Sequence, residues 1–154
     1  MERFEAFFSG HGFDPHRHDT YAIGFTTQGV QSFRYRGASA TSVPGQVFVL
    51  HPDETHDGHA GTSAGFRYRI LYLDPGAVRE ALGEAARLPF VGEVVSRHPQ
   101  ILAAIRPALE DLHRDQIILG LADALAAADS SGLRRELGAR NWPAVLKARD
   151  VLDA

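Results

Sequence analysis

The spacing of apolar residues changes near Asp74 and Pro75, and this change limits the folds open to the chain. Before it, runs such as "GFRYRILYLDP" (residues 65–75) alternate aromatic or aliphatic residues with arginine, which is the period-two pattern of a half-buried β-strand. Similar runs lie at residues 21–37 and 44–52, and several short strands at this spacing favour a sandwich or barrel. The chain is therefore predicted to begin as an all-β structure.

Turn residues divide this β region into strands. Residues 21–37 are interpreted as two strands joined in a tight hairpin at Gln28-Gly29, since glycine supplies the positive φ that such a turn needs. Pro44 and Gly45 mark a turn before the apolar strand "QVFVL". The intervening "GASATSVPG" is interpreted as a loop, and it lacks the Gly-x-Ser-x-Gly order of a nucleophile elbow.

After Asp74 the apolar residues recur at helical spacing. Asp74 can cap a helix whose first position is Pro75. Residues 89–95 are interpreted as a further strand, and residues 101–112 and 117–125 as two helices with apolar faces, the first bent at Pro107. A last helical pattern at 141–152 continues to the end of the chain, which predicts a piece cut from a longer protein.

Composition excludes several function classes. The 154 residues, 44% of them hydrophobic, allow one sizeable core. The chain has no cysteine, so disulfides and thiolate metal sites are excluded. A net charge of -3 argues against this chain itself wrapping nucleic acid. Without a long uncharged apolar run, the protein is predicted to be soluble and cytoplasmic, with no membrane partner.

Six of the eight histidines fall in two short segments, "HGFDPHRH" (11–18) and "HPDETHDGH" (51–59). His16 and His18 project from one face of an extended chain, and His56 can meet them from a neighbouring strand. Three neutral imidazoles suit a divalent transition metal such as zinc, iron, nickel or copper. Hydrogen bonding to a ligand and solvent exposure are the alternatives. The remaining histidines are interpreted as surface residues: His11, His51, His59, His98 and His113.

Strand alternation also predicts an inner wall. It places Ala22, Gly24, Thr26, Gln31, Phe33, Tyr35, Phe66, Tyr68, Ile70 and Tyr72 inside, and the arginines of these strands in water. An apolar wall with a few polar groups suits a small ligand such as a sugar, an aromatic or an amino-acid-like metabolite; ordinary core packing is the alternative, and an anionic ligand would need Arg34 or Arg69 turned inward. The predicted ligand-binding residues are His16, His18, Thr26, Phe33, Tyr35, His56, Tyr68 and Tyr72.

"PHRH" (15–18) and "PGQVFVLHPDETH" (44–56) resemble the two sequence motifs of the cupins. The glutamate that follows the first histidine pair in cupins is absent, because Ala22 and Ile23 occupy its expected positions. This resemblance implies a double-stranded β-helix, or jelly-roll barrel. It also implies an alternative function, a metal-dependent cupin enzyme that uses His16, His18 and His56 as a three-histidine centre.

Residues 12–75 as a whole resemble the amino-terminal effector-binding domain of the AraC/XylS transcription regulators. The resemblance implies a mainly β fold with an α appendage, divided into a cupin-like barrel with an amino-terminal arm and one helix (1–98), a helical dimerisation segment (99–130), and a linker with the start of a truncated DNA-binding domain (131–154). It implies a homodimeric, non-enzymatic sensor of a small-molecule effector that requires no cofactor and binds DNA only through the missing carboxy-terminal helix-turn-helix domain. A purely structural dimerisation module is a further alternative.

The amino-terminal segment "MERFEAFFSGHGFD" (1–14) is rich in aromatic residues. We expect effector binding to change the order of this arm and thereby the arrangement of the dimer. Its phenylalanines are predicted to close over the pocket as a lid: Phe4, Phe7, Phe8 and Phe13.

Overall fold

The computed structural model describes residues 1–108 and 114–131. The chain folds into two compact units, one comprising Met1–Tyr72 with Glu93–Arg97, and the other Leu73–Gly92 with His98–Ala154. The described helices include none that is long and apolar enough to cross a membrane. The division of the sequence into 1–98, 99–130 and 131–154 remains a prediction.

The first unit consists of two antiparallel sheets. One has five strands in the order β1-β8-β3-β6-β9, and the other has four in the order β2-β7-β4-β5. The strands are β1 Glu2–Phe8, β2 His11–His16, β3 Tyr21–Gly29, β4 Gln31–Tyr35, β5 Ala38–Ser42, β6 Val47–Leu50, β7 His56–Ala60, β8 Phe66–Leu73 and β9 Val95–Ser96. This arrangement, followed by helices, confirms the predicted mainly β class.

The predicted hairpin at Gln28-Gly29 is wrong, because β3 and β4 belong to different sheets. Gly29 does adopt a positive φ of 74°, and a Cβ there would lie 2.0 Å from the carbonyl oxygen of Gly65. The glycine therefore turns the chain from one sheet into the other. Its role comes from close packing against a remote segment, which local turn chemistry does not encode.

A hairpin does form one strand later, between β4 and β5. Its turn residues, Arg36 and Gly37, have φ values of 54° and 75°, as expected for two positive-φ positions in a tight hairpin turn. The segment 38–42, predicted as part of a loop, is thus a strand. Its side chains are small, and only Ser42 is buried, so no clear apolar alternation marks it.

The core of this unit lies between the inner faces of the two sheets. Burial alternates along β4, where Gln31, Phe33 and Tyr35 are buried and Arg34 is exposed, as the sequence predicted. The same alternation brings together a cluster that consists of Ala22, Phe33, Tyr35, Phe48, Leu50, Phe66, Tyr68 and Ile70.

The second unit contains the helices α1 Pro75–Leu82, α2 Pro99–Ala108 and α3 Arg114–Ala127, and both α1 and α2 pack against α3. Asp74 caps α1 as predicted, since its Oδ1 accepts a 2.6 Å hydrogen bond from the Gly76 backbone N–H. Pro107 lies inside α2. Of the strand predicted at 89–95, only Val95 is in a strand, the short β9. The predicted helix at 141–152 lies outside the described residues.

Candidate functional site

Three histidines meet at one end of the barrel. His16 ends β2, His18 follows it, and His56 begins β7; His16 and His56 are register partners across the two strands. Ring centroids are separated by 4.7 Å for His16 and His18, 4.6 Å for His16 and His56, and 5.0 Å for His18 and His56. One nitrogen from each ring lies within 4.8 Å of the others. The structure thus brings together the three predicted metal-ligand residues.

Backbone carbonyls orient two of the three rings. Nδ1 of His16 lies 2.8 Å from the carbonyl oxygen of Asp14, and Nδ1 of His56 lies 3.2 Å from that of Glu54. A carbonyl oxygen only accepts, so each Nδ1 carries the proton and donates it to the carbonyl. The lone pair is therefore left on Nε2, the atom available for coordination. Such hydrogen bonds are typical outer partners of metal-binding histidines.

Burial favours the neutral form of two rings of the triad. Desolvation, with smaller contributions from His16 and His18, lowers the pKa of His56 to about 4. The pKa of His18 is also lowered, by burial and then by the neighbouring His16. Imidazoles bind metals in their neutral form. The triad can therefore hold a metal ion, and a donor set of three nitrogens suits zinc, iron, nickel or copper better than magnesium or calcium.

A cavity of about 190 Å³ opens beside the triad. Most of its wall is apolar or aromatic, and its polar groups come from two histidines, a glutamine, an aspartate and the hydroxyls of two tyrosines. The ring of Tyr72 lies 4.9 Å from that of His18, and the ring of Phe13 lies 5.1 Å from that of His16. The lining residues are Phe13, His16, Gln31, Phe48, Leu50, His56, Asp57, Tyr68, Ile70 and Tyr72.

The predicted ligand-binding residues divide into two groups. His16, His56, Tyr68 and Tyr72 line the cavity, and His18 belongs to the adjoining triad. The other three are buried but are not among the residues that line this cavity: Thr26, Phe33 and Tyr35.

The hydroxyl groups of Thr26 and Tyr35 form hydrogen bonds within the protein. The Thr26 hydroxyl donates to Oγ of Ser42 at 2.8 Å. The Tyr35 hydroxyl accepts from the backbone N–H of His51 at 2.9 Å. These hydroxyls therefore hold strands of the β unit together. The sequence alone had predicted that they contact the ligand.

The prediction that His51 is a surface residue is wrong, because only 8% of His51 is exposed. Its Nδ1 lies 2.8 Å from the Tyr35 hydroxyl and 3.1 Å from Nη2 of Arg36, and Arg36 also pairs with Glu54. The turn after β6 folds this histidine back onto β4.

The other histidines predicted at the surface have different environments. His59 is exposed and His98 is half-buried. The side chain of His11 and the whole of His113 lie outside the described part of the chain.

The predicted ligand set lacks two polar residues that line the cavity, Asp57 and Gln31. Gln31 is the buried one of the two. It was expected to face inward, and 4% of it is exposed. Its Oε1 is buried and has no hydrogen-bond partner in the described part of the chain, although the side chain lines the cavity. An amide at an inward strand position, two residues before Phe33, was the signal available in the sequence.

The amino-terminal arm forms strands of both sheets. β1 pairs with β8, and β2 pairs with β7. Phe8 lies 6.0 Å from Phe13 and 5.6 Å from Phe66, measured between ring centroids, whereas Phe4 and Phe7 are about half exposed. Phe13 lines the cavity wall. The predicted lid role of these phenylalanines remains a prediction.

Solved structures similar to this chain include several cupin domains. A cupin-2 domain protein from Shewanella frigidimarina shares 20% identity, with 44% of this chain aligned to 65% of that one and a TM-score of 0.40. A Bacillus subtilis oxalate decarboxylase with Mn(II) centres shares 14% identity, over 47% of this chain and 20% of that one, with a TM-score of 0.41. The cupin-2 domain of an XRE family regulator from Enterobacter cloacae shares 16% identity, over 47% of this chain and 80% of that one, with a TM-score of 0.43.

No curated protein matches the sequence. The family comparison is more informative, because residues 1–136 match the AraC-like ligand binding domain. That range includes the whole β unit, the histidine triad and the cavity. The chain belongs to the AraC-like ligand binding domain family.

Proposed function

We propose that this chain is the small-molecule-sensing domain of a transcription regulator, and that its effector binds in the barrel cavity. The observation that carries the proposal is a cavity with aromatic walls, one of whose lining residues, Gln31, has a buried amide oxygen without a hydrogen-bond partner among the described residues. Apolar walls supply affinity, and a few fixed polar groups supply orientation. Membership of a ligand-binding family supports the same function.

Signalling then requires that the effector prefer one arrangement of the domain over another. The arm is well placed to respond, because Phe13 of β2 lines the cavity and Phe4 of β1 lies 5.7 Å from Tyr72, between ring centroids. We propose that occupancy alters the packing of β1 and β2. The altered packing would change how a homodimer, formed through the helical segment, presents DNA-binding domains in the cytoplasm.

The histidine triad adds a second element to the proposal. A bound metal would supply a Lewis acid at one end of the cavity, held by His16, His18 and His56. The chain's own residues would orient the ligand beside it: the Tyr72 ring packs on His18, and Asp57 lines the wall near His56. The alternative function, a metal-dependent cupin enzyme, would need the same three imidazoles.

Ligand screening tests the sensing function. We expect at least one sugar, aromatic compound or amino acid to raise the melting temperature of the purified chain. A ligand that binds only the folded state stabilises that state. NMR chemical-shift changes should then concentrate at Tyr68, Ile70 and Tyr72. Failure of a broad metabolite library to stabilise the protein would contradict the proposal.

Metal analysis separates sensing from catalysis. Protein purified without a histidine tag is compared with the His18→Ala variant, with His59→Ala as the matched control because His59 is exposed on the same strand as His56. About one equivalent of metal, lost only with His18→Ala, would identify the triad as the metal site. Metal-dependent consumption of a stabilising ligand would then support the enzyme, whereas binding without consumption supports the sensor.

A further inference from the structure

Gln31 begins strand β4 and is the register partner of Ser42 on β5 and Ala60 on β7. The side chains at both partner positions are small, and only 4% of Gln31 is exposed. Its Oε1 nevertheless lacks a partner among the described residues. Buried polar atoms in folded proteins are nearly always hydrogen-bonded. Gln31 is one of the residues that line the cavity, so a ligand bound there can supply the missing donor.

The position of Gln31 separates it from the histidine triad. Tyr35, at the other end of β4, is the register partner of His56. Four residues of β-strand span about 13 Å, so Gln31 and the triad mark opposite ends of the inner wall. Phe48, Tyr68 and Ile70 line the same cavity. A ligand that spans the cavity therefore meets a polar group at each end, and aromatic and aliphatic side chains line the same wall.

Charge further limits the ligand. The described residues that line the cavity include no lysine or arginine, and they include the carboxylate of Asp57. An anionic group buried at the Gln31 end would have no cation to pair with, and unpaired buried charge is strongly disfavoured. A hydroxyl or an amide N–H needs only an acceptor, and Oε1 of Gln31 is one.

We propose that the effector is an uncharged small molecule with an apolar body and a terminal hydroxyl or amide group, which donates a hydrogen bond to Oε1 of Gln31. This inference rests on the proposed sensing function and specifies the chemistry of its ligand. The cavity volume of about 190 Å³ is below the roughly 300 Å³ at which drug-sized pockets begin. The body is therefore of the size of a single ring or a short chain.

The test uses benzyl alcohol, benzamide and benzoate, which share one ring and differ in the end group. Each is titrated into EDTA-treated protein, so that a metal at the triad does not attract the carboxylate, and binding is followed by NMR shifts of the lining residues. We expect the alcohol and the amide to bind about fivefold to tenfold more tightly than benzoate, a ratio set by one hydrogen bond.

Variants at two glutamines then assign the effect. Gln31→Met removes the acceptor at similar length, and Gln28→Met changes an exposed glutamine that accepts from Arg67. Gln31→Met should remove the preference for the alcohol and the amide, while Gln28→Met retains it. Thermal unfolding of each variant without ligand verifies that it folds.

The outcomes separate the two proposals. If benzoate binds as tightly as benzyl alcohol, or if Gln31→Met keeps the wild-type preference, the inference is wrong and the sensing function stands. If Oε1 binds only water, Gln31→Met will keep the wild-type preference. If no probe and no member of a broader metabolite library binds, the sensing function is itself contradicted, and the inference with it.

Discussion

Two clusters of the β unit use histidine ring nitrogens in opposite ways: the histidine triad, and the His51 group, which consists of His51, Tyr35 and Arg36. At His51, Nδ1 faces Nη2 of Arg36; arginine only donates, so this nitrogen accepts. At His16 and His56, Nδ1 faces backbone carbonyls and therefore donates. The first arrangement uses the lone pair within the protein, and the second leaves the lone pair on Nε2 for a metal or a ligand. We infer that the His51 group is structural and that the triad is chemical.

The largest effect on stability is expected from His51→Ala. The substitution removes the acceptor that Tyr35 and Arg36 share and leaves a void beside a buried hydroxyl, which together cost about 2–4 kcal/mol of unfolding free energy. Urea unfolding measures this loss, and His59→Ala should change the free energy by less than about 0.5 kcal/mol. A loss of similar size in both variants would remove the distinction between structural and surface histidines.

Metal addition should distinguish the triad from the His51 group. Adding zinc or nickel to EDTA-treated protein at about 100 times the dissociation constant should stabilise it by about 2.7 kcal/mol. His18→Ala should abolish the stabilisation, since two imidazoles remain in the triad. The Tyr35→Phe variant, which changes the His51 group, should keep the stabilisation by metal. Thermal unfolding with and without metal measures each response, and equal responses in the wild type and His18→Ala would exclude the triad as the site.

A smaller effect is expected from Tyr35→Phe. It deletes the hydroxyl that accepts from the buried backbone N–H of His51, at an expected loss of about 1–2 kcal/mol. Tyr72→Phe is the matched variant at the triad, where the tyrosine contributes mainly its ring to His18, and it should have a smaller effect on unfolding. The reverse ranking in urea unfolding would show that the tyrosine beside the triad is the structural one.

The smallest effect, with the opposite sign, is expected from Gln31→Met. The Oε1 of this amide is buried and has no partner among the described residues. Replacing the amide with an apolar side chain of similar length should therefore stabilise the ligand-free protein by up to about 1 kcal/mol. Gln28→Met, at an exposed position, should leave the unfolding free energy nearly unchanged or lower it slightly. Destabilisation by Gln31→Met without ligand would indicate that the protein already satisfies this amide.

Alternation along the strands was sufficient to predict much of the inner wall. The inward positions of β4 and β8 follow from a period of two, because successive side chains point to opposite faces of any sheet. The same rule paired His16 with His18. The cap at Asp74 was equally predictable, since it depends on residues close to one another in the chain.

Strand pairing and hydrogen-bond partners were not predictable in this way. The assignment of β3 and β4 to different sheets depends on partners 20 or more residues away, and local turn residues do not specify it. The burial of His51 depends on Arg36 and Tyr35, which are 15 and 16 residues distant. A sequence pattern near His51 suggests only the end of a strand.

The residue types and their alternation thus determine which side chains of a strand face inward, because this is a property of one extended segment. The sequence also determines that three imidazoles are available at the ends of strands. Whether an inward polar group is satisfied depends on what the opposite sheet presents to it. Thr26 finds Ser42, whereas Oε1 of Gln31 finds no partner among the described residues. That difference arises only when the two sheets pack together, and it separates a supporting residue from a proposed ligand contact.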